Sequence, residues 1–344
     1  VRSGPLRLAI VGCGGIAQAY LQALQRLPQW QLVACVDPLP AARQRVPGVP
    51  GFADLADLFA APLPIDAALV LTPPDRHEAL SCALLARGVH VLCEKPLAPS
   101  LAAAERMLAA ARQQRRRLMM GSKFRYTPDV QKAHELLAAG FCGQVVLYEN
   151  VFCAHVAMAA RWHADPARSG GGVLIDNGCH SVDVARYLLG PIARVQAQFG
   201  RRVQDLAVED TARLLFTSAS GALGSIDLSW SLFKETPAYV RVHGDAGTLE
   251  IGWQQSRCKR RDDSQWTVFG NGYDKVASFA AQLADFAYAI DGGTPVIGDA
   301  DALASVAVID TAYRSAQEER WLPVPAAASP LAGGGSQTGR GGAR

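Results

Sequence analysis

No two of the eight cysteines, Cys13, Cys35, Cys82, Cys93, Cys142, Cys153, Cys179 and Cys258, stand in a CxxC pair. That absence disfavours a zinc ribbon or a redox dithiol, and the thiols read as small core residues of a protein in a reducing cytoplasm. No uninterrupted apolar run approaches the ~18 to 20 residues that span a bilayer, and the first residues lack the apolar core of a secretion signal. No membrane partner is expected. Charge is scarce too: Asp, Glu, Lys and Arg make up 19% of the chain and leave a formal net charge of +3. Nothing in that balance marks a binder of nucleic acid. Arg115 to Arg117 close a helical pattern, where cations complement the helix dipole, and Lys259 to Arg261 are followed at once by Asp262 and Asp263, so both runs read as solvated faces.

What is present is length and alternation. A chain of 344 residues predicts two domains, each able to bury a core. From Leu6 to Gly121 the apolar runs "RLAIVG", "QLVACVD", "DAALVLT", "VHVLCE" and "LMMGS" alternate with helical patterns. This is the signature of a doubly wound parallel sheet, placed at residues 1–122. Beyond it come a helix ("DVQKAHELLAAG"), a strand ("QVVLYENVF"), a helix over "LIDNGCHSVDVARYLLG", and then strand after strand with no helices between. Two late helical patterns, "VASFAAQLADFAYAI" and "ADALASVAVIDTAYRSAQ", follow them. Residues 123–325 therefore read as an α+β domain with a large, mainly antiparallel sheet, and the Gly- and Ser-rich residues 326–344 as a disordered tail.

The first strand runs into "VGCGGIAQAY", where Gly12, Gly14 and Ala17 have the GxGxxG/A arrangement at a strand-to-helix turn. Gly12 allows the tight turn, Gly14 lets backbone approach a pyrophosphate, and Ala17 permits close packing of helix on strand. The second strand ends in Asp37, whose carboxylate suits a ribose diol and repels a 2′-phosphate. NAD is the expected cofactor, with NADP kept open by Arg43. The plainer alternative is an ordinary turn and an aspartate that merely ends a strand.

Ligands of open parallel sheets lie at the carboxyl ends of the strands, which brings "TPPDRH" and "EKP" to the cofactor face. Thr72 and Pro73 end the third strand, and His77 falls on the next helix's first turn, where a capping or surface role is the ordinary reading. Glu94 and Lys95 end a buried apolar strand, where charge is costly unless paired or used. Pro96 fixes the exit of the chain, with a cis bond as one option. A snorkelling surface lysine is the bland reading of Lys95.

With "GSKFRYTPDV" and "SGGGVLIDNGCHSVDVARYLLG" added to these motifs, the chain resembles the Gfo/Idh/MocA family of glucose-fructose oxidoreductases and inositol dehydrogenases. The resemblance implies an N-terminal Rossmann domain, an open mixed sheet used for oligomer contacts, and NAD(P)-dependent chemistry on a sugar, cyclitol or similar polyol. A homodimer or homotetramer is expected. It also implies Lys95 between nicotinamide and substrate, and Asp176 and His180 as a substrate-side acid and base. Gly12, Gly14, Ile16, Asp37, Thr72, Pro73, His77, Glu94 and Arg125 match cofactor-side positions, and Trp162 an aromatic at the site's rim. Lys123 departs from the pattern, since many members have asparagine there. If "GSKFRY" is extended, Lys123 and Arg125 face the same side, and two cations would favour a carboxylate or phosphate on the substrate, as in a nucleotide sugar or uronic acid.

In a helix starting near Asp176, that residue, His180 and Asp183 share a face. Three readings compete: Asp176 or Asn177 caps the helix and His180 packs quietly; His155 or His163 joins His180 and Asp176 around a metal; or the pair does acid and base chemistry. The ligand spacing is unrecognisable, so no metal is expected. The third reading makes His180 the base in oxidation, has Asp176 orient it or bind a neighbouring hydroxyl, and has Lys95 polarise the reacting oxygen. Cys179 points about 100° away from His180 and reads as core. Rival functions are a dinucleotide-binding scaffold that has lost its chemistry, and a glycosidase of the same fold that uses NAD transiently.

Overall fold

The computed structural model describes residues 4–325. The tail expected at 326–344 lies outside the described residues.

Six parallel strands form the first sheet, in the order β3, β2, β1, β4, β5, β6. They are β1 (Leu6–Val11), β2 (Trp30–Val36), β3 (Gly51–Phe52), β4 (Ala67–Val70), β5 (His90–Glu94) and β6 (Leu118–Gly121). Helices α1 (Gly15–Leu24), α2 (Pro40–Arg43), α3 (Leu55–Ala60), α4 (His77–Ala86) and α5 (Leu101–Gln113) connect them. Side chains alternate across the sheet, so Leu8 and Ile10 enter one apolar layer and Ala9 and Val11 the other. Both layers are covered, which is why these strands are apolar throughout. The five expected strands all form. The sixth, β3, has only two residues at the sheet edge and carries no readable pattern.

The second sheet has nine strands: β7 (Val145–Cys153), β8 (Ile192–Phe199), β9 (Thr211–Ser218), β10 (Leu223–Ser229), β11 (Ala238–Gly244), β12 (Gly247–Gly252), β13 (Ser256–Arg260), β14 (Thr267–Gly270) and β15 (Leu322–Pro323). Its order is β14, β13, β12, β11, β7, β10, β9, β8, β15, with β7 and β10 parallel and all other neighbours antiparallel. The expected antiparallel run is present. Three further strands, β13, β14 and β15, carry no readable pattern: they lie towards the edges and are short or charged, as in "SRCKR". One face of the sheet carries α6 (Pro128–Ala138), α8 (Val173–Leu189) and α10 (Asp299–Glu318), with Tyr148, Phe216, Ile226 and Val240 pointing into that core. The opposite face exposes Leu147, Leu215 and Leu223. A short helix, α7 (Pro166–Ser169), precedes α8.

Two late helices tie the domains together. α9 (Lys275–Ile290) lies on α1, and its Phe279, Leu283 and Phe286 complete the core beneath β1. Trp30 Nε1 donates to Leu283 O at 3.2 Å, and its ring stacks on Phe286. α10 sends Ala302 and Val306 to the first domain and Val308, Ile309 and Ala312 to the second. A helix with apolar residues on two sides serves as the seam that fixes one domain against the other.

Candidate active site

The turn after β1 has the geometry its glycines predict. Gly12 adopts φ +95°, and a Cβ there would meet the Leu71 carbonyl carbon at 2.8 Å. Gly14, the N-cap of α1, and Gly15 beside it have open space where a Cβ would stand, and no side chain caps the helix. Ile16 follows in the first turn, and Ala17 is fully buried against the strands. Exposed N–H groups at an open helix start attract a diphosphate. Asp37 closes the turn from β2: its Oδ2 accepts from Cys13 N and its Oδ1 from Leu39 N, each at 2.9 Å. Arg43 Nη1 donates to Asp37 O at 2.6 Å, bringing the guanidinium beside the same strand end. Thr72 Oγ1 is buried without a partner, an unused polar group on the same side. Uncapped turn, strand-end carboxylate and unpaired hydroxyl fit an NAD molecule.

Pro73 leads from Thr72 into the turn before α4. His77 is neither a cap nor a surface residue. It is wholly buried, with Nδ1 2.9 Å from Pro96 O and Nε2 2.9 Å from Thr72 O, and burial lowers its pKa despite the two carbonyls. A neutral ring has one N–H and so donates to one of these carbonyls, tying the chain that leaves β4 or β5 to the start of α4. The Lys95–Pro96 bond is cis. Glu94 is also held: Oε1 accepts from Tyr20 OH at 2.7 Å and Oε2 from Lys95 N at 3.1 Å, while Gln282 Nε2 donates to Tyr20 OH at 2.8 Å.

Lys95 leaves β5 towards α8. Its Nζ stands 2.5 Å from Asp176 Oδ1 and 3.0 Å from Asp176 O. Burial alone would lower the ammonium, but the carboxylate outweighs it and holds the lysine above its ordinary value. Reciprocally, Asp176 lies below the usual carboxylate range: burial opposes its charge, and Lys95 with His163 overcomes that. α8 begins at Val173, three residues before Asp176, so Asp176 does not cap it. The helix start is satisfied instead by Glu209, whose Oε1 accepts from Gly172 N at 3.0 Å and Leu174 N at 3.1 Å, and from Tyr313 OH at 2.7 Å. A carboxylate at that end complements the dipole and leaves Asp176 free for Lys95.

The cleft over this pair is lined by Lys95, Asp176, Trp162, His163 and Trp230, with Pro74 from the first domain. Trp162 stacks on His163 at 3.6 Å between centroids, and His163 Nε2 lies 3.9 Å from Asp176 Oδ1. The sequence had singled out His163 only as a metal ligand. Its place beside Asp176 rests on a single helical turn before α7, Trp162–Ala164, too short for periodicity to reveal. No group of His, Cys, Asp or Glu suited to a metal occurs among the described residues.

His180 and Asp176 share a face but no hydrogen bond, so the expectation that Asp176 orients His180 is not met. Two different lysines claim them. His180 Nε2 is 3.2 Å from Lys123 Nζ, the ring meets the Phe124 edge at 5.0 Å, and Nδ1 is buried without a partner. Burial, and then the charges of Lys123 and Lys95, push its pKa well down. Asp183 joins neither: it accepts from Ser122 Oγ at 2.6 Å and Arg125 Nε at 2.9 Å.

"KFRY" is not extended. Lys123–Tyr126 forms one tight helical turn, in which residues two apart do not share a side. Arg125 is buried against Asp183 at 2.8 Å and Asp301 at 3.2 Å, so its charge is already neutralised. The expected pair of free cations reduces to Lys123, so two cations do not stand ready for an anionic substrate. Cys179 is core, as expected: its Sγ donates to Ile175 O at 2.6 Å, and burial raises the thiol to about 12.

Residues 6–122 match the model of an oxidoreductase family with an NAD-binding Rossmann fold, and residues 130–250 match the GFO/IDH/MocA C-terminal domain. A protein of Amycolatopsis mediterranei (strain S699), provisionally named a UDP-kanosamine synthase oxidoreductase subunit, is 31% identical over 72% of this chain and 75% of its own. The inositol 2-dehydrogenase of Rhizobium meliloti (strain 1021) is 25% identical over 93% of this chain and 99% of its own. Among solved structures, the aldose-aldose oxidoreductase from Caulobacter crescentus complexed with glycerol superposes with a TM-score of 0.84 at 26% identity, covering 93% of this chain and 99% of that one.

Proposed function

Because the chain belongs to the GFO/IDH/MocA family of oxidoreductases with an NAD-binding Rossmann fold, we propose that it is a dehydrogenase of sugars or cyclitols, acting on a secondary hydroxyl or the matching ketone. The observation that carries this reading is the Lys95–Asp176 contact, which brings a fixed cation from the end of β5 to the floor of a cleft between the domains. NAD, when bound at the uncapped start of α1, supplies the hydride acceptor. The protein's own groups bind the polyol, polarise its oxygen and move its proton.

Lys95, kept charged by Asp176, donates to the reacting oxygen and favours the negative charge that develops on it. Asp176 and His163 offer polar contacts to neighbouring hydroxyls, and Trp162 and Trp230 give an apolar wall for the C–H face of the ring. Proton transfer belongs to the His180 side of the site. Asp37 favours NAD over NADP. The exposed leucines on the outer face of the second sheet suit a second copy of the chain, giving a homo-oligomer whose mass light scattering would read. Of the relatives named above, one is named for a UDP-sugar, one for inositol and one for aldoses, and the loss of the second free cation favours the neutral substrates among these over nucleotide sugars and uronic acids.

The test is a panel of neutral sugars, cyclitols, uronic acids and nucleotide sugars, read as reduced-nicotinamide absorbance with NAD or NADP. Turnover of a neutral polyol with NAD is the expected result. Bound NAD without turnover of any panel member would sink the assignment and favour a scaffold. Release of a leaving group without net NADH would instead identify a glycosidase.

A further inference from the structure

The contact between Lys123 Nζ and His180 Nε2 joins two nitrogens at 3.2 Å, and its chemistry is restrictive. A hydrogen bond needs one N–H and one lone pair. An ammonium has no lone pair, and an imidazolium has none on either nitrogen, so the contact survives only while at least one partner is unprotonated. No carboxylate lies within ion-pair distance of Lys123 among the described residues. Its Nζ rests over the Phe124 ring at 4.9 Å and the Phe279 ring at 5.8 Å. This differs from Lys95, whose charge is locked by a carboxylate at 2.5 Å.

Resting on the dehydrogenase reading, we propose that Lys123 and His180 form a single-proton unit whose proton resides on the amine, and that Lys123 is the group exchanging a proton with the substrate hydroxyl. In oxidation the O–H bond breaks and an N–H bond forms at Nζ, with the electron pair left on oxygen. His180 Nε2 accepts a hydrogen bond from the ammonium so formed, which places the ring proton on Nδ1. Reduction runs the same transfer backwards. Lys95 remains charged throughout and stabilises the oxygen that loses its proton.

The surrounding charges support this division. Burial lowers Lys123 to about 8; Glu94 and Asp176 oppose that fall, while Lys95 and Lys275 deepen it. The amine thus changes charge near the pH at which a base has to work. Burial, and then the charges of Lys123 and Lys95, hold His180 well below the usual histidine range, which favours the proton on the amine.

Two measurements test the unit. In the unaltered protein without ligands, ring-nitrogen NMR of His180, assigned with His180→Gln, should move between pH 7 and 9.5 with a midpoint near 8. Signals that stay flat across that range would overturn the proposal, whether or not a substrate is known. With a substrate in hand, kcat against pH should show a limb near 8 that Lys123→Arg abolishes, because a guanidinium keeps its proton. Lys123→Arg and Lys123→Met should both lose about 10²-fold or more in kcat, with KM within about 3-fold. Near-normal kcat in Lys123→Arg, with the limb retained, would reduce Lys123 to a positioning residue. Failure of every panel substrate would strike the dehydrogenase reading and leave the NMR result standing.

Discussion

The Lys95 ammonium binds both the side chain and the backbone carbonyl of Asp176, at 2.5 and 3.0 Å, so one lysine at the end of β5 grips the first turn of α8. The two side chains are only 16% and 18% exposed, and removal of one would leave the other charged and poorly solvated. Asp176→Asn should therefore cost about 2–4 kcal/mol in urea unfolding, below the range for fully buried pairs at its lower end. It should also cut kcat by about 10²-fold, since Lys95 would lose its fixed aim. A variant with normal stability and normal kcat would show the contact to be incidental.

Cofactor choice rests on Asp37 and its neighbour. The carboxylate accepts from Cys13 N and Leu39 N, while Arg43 sits on the carbonyl of Asp37 itself. Asp37→Ser removes the charge that repels a 2′-phosphate and leaves Arg43 at hand to meet one. The NADP-to-NAD ratio of kcat/KM should rise by about 10-fold or more, equivalent to ~1.4 kcal/mol of changed discrimination. An unchanged ratio would mean that the adenosine end is recognised elsewhere.

The sequence announced the first sheet because strands covered on both faces must be apolar throughout, and "AIVG" or "HVLCE" can hardly be read otherwise. It announced Lys95, Asp37 and the glycine turn for a similar reason: polar groups at the ends of such strands stand out. What it hid depends on long-range contacts. Asp176 looks like a cap until Glu209 and Tyr313, far along the chain, are seen to occupy that role. Arg125 looks free until Asp183 and Asp301 close on it. "KFRY" alternates like a strand, but the chain must turn there to enter α6. His163 reaches the cleft from a single helical turn, Trp162–Ala164, too short for any period to reveal its direction.

Burial of neutral His180 makes stability depend on pH. Its folded pKa lies below the unfolded value of about 6.5, so below that pH the unfolded chain takes a proton the folded one resists. The unfolded state then binds more protons, and stability falls as the pH drops from about 6.5, by roughly 1.4 kcal/mol per unit for this one group. His180→Gln removes the titration. Between pH 7 and 5, the unaltered protein should lose more unfolding free energy in urea than the variant does. Equal losses in both would show that His180 protonates freely in the folded state.

Gly12 and Gly14 separate a folding role from a binding role within one turn. Gly12 combines φ +95° with a would-be Cβ at 2.8 Å from Leu71 C and 2.9 Å from Thr72 N, so Gly12→Ala must displace backbone of the adjoining β4 exit. Two costs combine there, strain and overlap, and about 2 kcal/mol or more of stability should be lost. Gly14 has ordinary φ and open space around its missing side chain, so Gly14→Ala should unfold within about 0.5 kcal/mol of the parent. That open space is where a diphosphate would approach the helix start, and a methyl group there should weaken NAD binding by about 10-fold or more in calorimetry. Were Gly14→Ala to bind NAD normally, the diphosphate would not lie over the start of α1, and the cofactor site drawn from this turn would be wrong.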